Sequence, residues 1–119
     1  MKRLILCFIY LIFLSVSLRA EKNEGIAYRD SILILAESMP SDTARLAYLQ
    51  SMAYCHQYFP YNRYFATALY EEAKRQKNIF YENEGAYYLA GYYDKKHDPD
   101  SLTYWVNQLK ELVSGVGTY

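Results

Sequence analysis

From Glu24 onward apolar residues recur at helical spacing, few are β-branched, and no stretch alternates strictly, so the pattern predicts helix after helix. Five segments separate. The first covers roughly 24–38, with Tyr28, Ile32, Leu35, Ala36 and Met39 along one stripe, and Pro40 stops it. Ser41 and Asp42 offer a cap to the second, roughly 43–58, which Phe59 and Pro60 close. The third runs over about 61–77, the fourth over about 79–96 and the fifth over about 99–113. The sharpest junction is "KKHDPDS". Asp98 can cap the fifth helix, Pro99 takes the first helical position, where no amide donor is needed, and Asp100 faces the positive end of the helix dipole. Lys95 and Lys96 suit the end of the preceding helix.

The segments also resemble one another. In the second and fourth helices, Leu49, Met52, Ala53 and His56 match Ala86, Leu89, Ala90 and Tyr93 at an offset of 37. In the third and fifth, Ala66, Tyr70 and Ala73 match Leu102, Val106 and Leu109 at an offset of 36. Self-similarity at such a period is the mark of a repeat array, whose units are too short to bury a core alone and must stack. Alanine at 53 and 90 lets a partner helix approach, and the ring of Tyr93 fills the space beside it.

On these residues the chain resembles a tetratricopeptide repeat (TPR) protein over about 43–113. Leu89, Ala90 and Tyr93 fit the pattern of that family's first helix, and Met52 and Ala53 fit it in the earlier copy, where His56 departs. Ala66 and Ala73 fit the small positions of the second helix, Leu102 and Leu109 are oversized, and the period exceeds the usual ~34. The resemblance implies an all-α fold, antiparallel helix pairs stacked as a short TPR-like α-solenoid of about two repeats, with the helix at 24–38 as an N-terminal lid. It also implies a ligand groove. The positions that face it in the family carry over to Gln50, Tyr54 and Gln57 in one repeat and Tyr87, Gly91 and Asp94 in the next, with Tyr58 and Glu84 one step beyond on the same face.

The first twenty residues change the picture. "MKRLILCFIYLIFLSVSLRA" has a basic start, an apolar run and small residues at Ser15, Ser17 and Ala20, the make-up of a signal peptide cleaved after Ser17 or Ala20. Leu4 to Leu18 as a helix would reach roughly 22 Å, short of the ~30 Å hydrocarbon core. The expected organisation is therefore a signal peptide at 1–20 and a helical domain at 21–119, exported to the periplasm or cell envelope. Membrane association is expected only through an uncleaved signal or a region after Tyr119. The ending "LVSGVGTY" predicts a helix stop at Ser114 and Gly115 before apolar residues resume, as in a fragment or short relative of a longer array. Exported arrays of this kind resemble the periplasmic sensory portions of membrane-bound bacterial regulators such as histidine kinases.

Without Lys2, Arg3 and Arg19 the chain keeps ten basic and thirteen acidic residues, a net charge of about −3. That speaks against nucleic acid, because the aromatic residues are interleaved with carboxylates and no basic run accompanies them. The segment 84–105 holds five tyrosines and a tryptophan, for which a ligand cage, a base-stacking platform and helix packing compete. Packing suits a phenol, which buries a ring and keeps a hydroxyl for water, and Tyr88, Tyr92, Tyr93, Tyr104 and Trp105 are expected between helices.

No catalytic or metal-binding arrangement emerges. Cys55, the one cysteine after residue 20, has His56 about 100° away around a helix and reads as a small buried hydrophobe rather than a nucleophile. His56 and His97 lack companions at metal-ligand spacing, and Asp94, Asp98 and Asp100 lack a calcium-loop pattern. Glu71, Glu72, Glu82 and Glu84 read as solvated helix faces. No cofactor is expected. The sequence points to a non-enzymatic module that binds a protein, a peptide or a small ligand. The alternative is a structural protein that self-assembles through open repeat ends.

Overall fold

The computed structural model describes Ile9 and residues 25–116, with side chains described as far as Ser114, so the predicted signal segment lies outside the described residues except for Ile9. The chain divides between Ser31 and Ile32. In the first unit residues 25–31 are helical, Arg29 pairs with Asp30 at 2.9 Å, and the Ser31 hydroxyl donates to the Tyr28 carbonyl.

The second unit is all-helical among its described residues. Helix α1 covers 32–38, followed by α2 (Thr43–Cys55), α3 (Asn62–Arg75), α4 (Ile79–Lys95) and α5 (Pro99–Val116). Consecutive helices from α2 to α5 pack on one another, and α4 also touches α2. The core is built from Ile32 and Ala36 of α1, Leu46, Leu49 and Ala53 of α2, Phe65, Ala66, Leu69 and Ala73 of α3, and Ala86 and Leu89 of α4. Two of the pairs matched at the 37-residue offset share a buried environment, Leu49 with Ala86 and Ala53 with Ala90, whereas Met52 is half-buried and its match Leu89 is fully buried. Ala90→Leu is expected to cost roughly 1 to 3 kcal/mol by overpacking, read as a lower denaturation midpoint. An unchanged midpoint would take Ala90 out of the interface.

Two of the turns use one device. After α3 the Lys77 amide donates to Lys74 O and the Asn78 amide to Ala73 O, while the Asn78 side chain accepts from the Tyr81 amide to start α4. After α4 the His97 amide donates to Asp94 O and the Asp98 amide to Tyr93 O, and Asp98 accepts from the Ser101 amide to start α5. Each is a Schellman stop whose next residue is an N-cap. The stop needs a left-handed residue, supplied by Lys77 at φ 57° and His97 at φ 56°. Neither is glycine, so each stores strain. Lys77→Gly is expected to raise stability by about 0.5 to 1 kcal/mol, less than the full relief because glycine also loosens the unfolded chain. A drop in the urea midpoint would contradict this.

Several expectations are corrected by packing. α2 stops at Cys55 because the His56 ring and amide both bond Met52 O and the buried Asn62 side chain takes Ala53 O at 2.5 Å. The rings of His56, Phe59, Tyr61 and Phe65 then hold the turn. α5 runs through Ser114 and Gly115 to Val116, since a glycine without a left-handed turn does not end a helix. Tyr28 and Leu35 are exposed, so the buried stripe of the first helical segment narrows to Ile32 and Ala36. Cys55 is exposed, because Leu46, Leu49 and Ala53 mark the inner side of α2. Tyr104 is also exposed, touching Trp105 edge-on, whereas Trp105 meets Tyr70 at 4.9 Å and Tyr88 is buried.

Candidate functional site: an open groove on α4 and α5

α4 turns one side toward α2 and α3. Gly85 lies so close to α3 that a Cβ there would stand 2.8 Å from the Tyr70 Cα. Tyr88 comes within hydrogen-bonding reach of Gln50, and burial pushes its phenol pKa up, with Glu84 and Tyr54 adding to the rise. At the far end the Lys95 ammonium donates to Gln57 O at 3.1 Å and lies 4.4 Å above the Tyr58 ring. Gln50, Tyr54, Glu84, Gln57 and Tyr58 therefore line the seam along which α4 lies beside α2.

Next to this side, α4 is uncovered among the described residues. Tyr87, 64% exposed, Gly91 and Asp94 border a groove of about 430 Å³ whose apolar wall is Leu102, Val106 and Leu109 of α5. Gln57 reaches the same groove. Of the eight residues expected to face a ligand, Gln57, Tyr87, Gly91 and Asp94 thus share one hollow. Gln50, Tyr54 and Glu84 gather round Tyr88, and Tyr58 sits in a smaller depression with Phe59, Pro60, Tyr92, Lys95 and Lys96.

A second hollow, about 480 Å³, lies over α1, α2 and α3, and at its edge sits a carboxylate that sequence reasoning placed in water. Glu72 is 1% exposed. Its Oε1 accepts from the Ser41 hydroxyl at 2.6 Å and from Arg45 at 2.9 Å, and its Oε2 accepts from Arg75 at 2.8 Å. Gln76 donates to Oε1 and to Asp42 O. Arg45 also donates to the Glu37 and Met39 carbonyls, so the network ties the end of α1 and the turn after it to α2 and α3. Burial acts to raise the Glu72 pKa, but the hydrogen bonds from Ser41, Arg75 and Gln76 outweigh it and hold the carboxyl near 2. Arg45 and Gln76 also reach backbone carbonyls, so the network acts as a structural clamp, with the Arg45 Nε buried and unbonded among the described residues. "YEEAKR" holds one partner, Arg75, but Ser41 and Arg45 lie 31 and 27 residues upstream.

Among the described residues no cluster of His, Cys, Asp and Glu is arranged to hold a metal ion, and no helix is long and apolar enough to cross a membrane. Compared with protein-family models, curated proteins and solved structures, the chain matches none.

Proposed function

We propose that the chain is a non-enzymatic binding module, a short TPR-like stack of helix pairs that holds a protein or peptide partner, and that it serves sensing in the periplasm or cell envelope. The groove on α4 and α5 carries this reading. It combines an exposed tyrosine, a carboxylate and an apolar wall, the mixture that gives a surface both adhesion and selectivity. The export and sensing parts rest on the signal-like residues 1–20 and on the resemblance to sensory arrays. Tyr87→Ala tests the site. Because the ring is exposed, the thermal melt is expected to move little, while binding of any ligand found by NMR screening of peptides and oligosaccharides weakens about tenfold. A large loss of stability would make Tyr87 part of the core.

A second reading, self-assembly, draws on a different patch. Ile79, Phe80, Leu112 and Val113 form an apolar hollow of about 330 Å³ with Phe80 and Val113 exposed. Sedimentation velocity separates the two: growth in size with concentration supports assembly, and a small constant species with a saturable ligand supports binding.

A further inference from the structure

α4 rests on two rows of side chains, and the described residues hold a second copy of both rows that no described helix covers, with Gln57 and Asn62 at its border. The first row is Gln50 and Tyr54 of α2 and Gln57 in the turn after it, where Tyr88 and Lys95 of α4 make their contacts. The second is Ala66, Tyr70 and Ala73 of α3, where Gly85 of α4 comes closest. Moving the first row on by 37 residues gives Tyr87, Gly91 and Asp94, and moving the second on by 36 gives Leu102, Val106 and Leu109. All six of these residues line the open groove. We infer that this groove is a second helix seat, and that it binds an amphipathic α-helix of a protein partner carrying a glycine or alanine over Val106 and, ten residues later, a lysine or arginine beside Asp94. The inference rests on the binding-module reading and names what that module binds.

Three observations define the occupant. Where α4 crosses Tyr70, a Cβ on Gly85 would meet backbone at 2.8 Å, so a helix that repeats this approach over Val106 needs a small residue there. Ten positions after Gly85, Lys95 meets the Gln57 carbonyl and the Tyr58 ring, whereas the corresponding position in the open seat is Asp94, which offers a cation a carboxylate in a groove that Lys95 also borders. Gly91 is the third. Glycine weakens a helix relative to alanine, and a Cβ at Gly91 would meet nothing within 4 Å, so packing among the described residues does not require it. Against a second helix it leaves room for a ring such as the one Tyr88 presents to Tyr54 in the filled seat.

The probe is α4 itself as a free peptide, residues 77–97, added to the full chain labelled for NMR. The expected result is saturable binding with shifts centred on Tyr87, Gly91, Asp94 and Val106. Asp94→Lys alters an exposed residue, leaves the fold intact by circular dichroism, and is expected to weaken binding roughly tenfold. A peptide bearing Lys95→Glu should recover most of that loss on the Asp94→Lys chain, and a peptide bearing Gly85→Leu should lose binding at least tenfold on either. Absence of binding by the peptide, or equal binding to the Asp94→Lys chain without rescue, overturns the helix seat. If the peptide fails while an extended peptide or an oligosaccharide shifts the same residues, the binding-module reading survives and only the helix is wrong. If nothing binds and the chain grows with concentration, the binding-module reading falls as well.

Discussion

Replacing Glu72 with glutamine is expected to lower the unfolding free energy by about 3 kcal/mol, a large part of what a domain of this size possesses. The change removes the charge that Arg45 and Arg75 meet at 2.9 and 2.6 Å and leaves the half-buried Arg45 without its counter-ion. The same number follows from protonation. The carboxyl titrates near 2 in the folded chain against 4.5 as its ordinary value, so the folded state holds it ionised more strongly than the unfolded state does. A lowered folded pKa contributes stability that is complete above about 4.5 and is lost as pH falls toward 2, in total about 3 kcal/mol. Urea denaturation of the two proteins across this range checks both statements. The parent chain should lose stability steadily below pH 4.5, and the difference between parent and Glu72→Gln should shrink toward zero near pH 2. A variant within 0.5 kcal/mol of the parent at pH 7 would show that the clamp contributes little.

Gly85→Leu is the second substitution with a large expected effect. Leucine is the better helix former by up to ~1 kcal/mol, so propensity alone predicts a gain. Contact reverses the sign. The new Cβ would lie 2.8 Å from both the Cα and the amide nitrogen of Tyr70, atoms of α3 backbone that cannot rotate away. α4 would have to lift off α3, loosening Ala86 and Leu89 in the core and the meeting of Tyr70 with Trp105. The expected loss is about 3 kcal/mol or more, at the upper end of overpacking costs. Gly91→Ala, on the open side of the same helix, is the control and should raise the melting midpoint slightly. Equal effects at the two glycines would mean that α4 is not seated as described.

The contrast between these glycines marks what the sequence could convey. Helical spacing, Asp42, Asp98 and Pro99 announced the helices and most of their starts, because caps and periodicity are written within a few residues of where they act. Ala53 and Ala90, expected on inward sides of their helices, are both buried. Glu72 was misread because a carboxylate among charged neighbours looks solvated until residues some thirty positions away arrive above it. In the groove, spacing fixed the angular position of Gln50, Tyr54, Gln57, Tyr87, Gly91 and Asp94 around their helices but not which of them the next helix would cover. α4 lies against the first three, and the last three border a hollow that Gln57 also reaches. Tyr104 and Cys55 failed in a simpler way: Tyr104 sits one step from the inward Trp105 and Cys55 two from the buried Ala53, where side-chain chemistry gives no hint of direction.

α4 lies in a seat made by α2 and α3, while Tyr87 and Gly91 of the same helix border an open groove. Nuclear Overhauser contacts in the labelled full chain address this placement directly. Cross-peaks are expected from the Gly85 α-protons to Tyr70 and from the Tyr88 ring to Gln50, together with solvent-exposed signals for Tyr87 and Gly91. Gly85 α-protons that see no proton of Tyr70, with Tyr87 instead protected from solvent in the isolated chain, would contradict it.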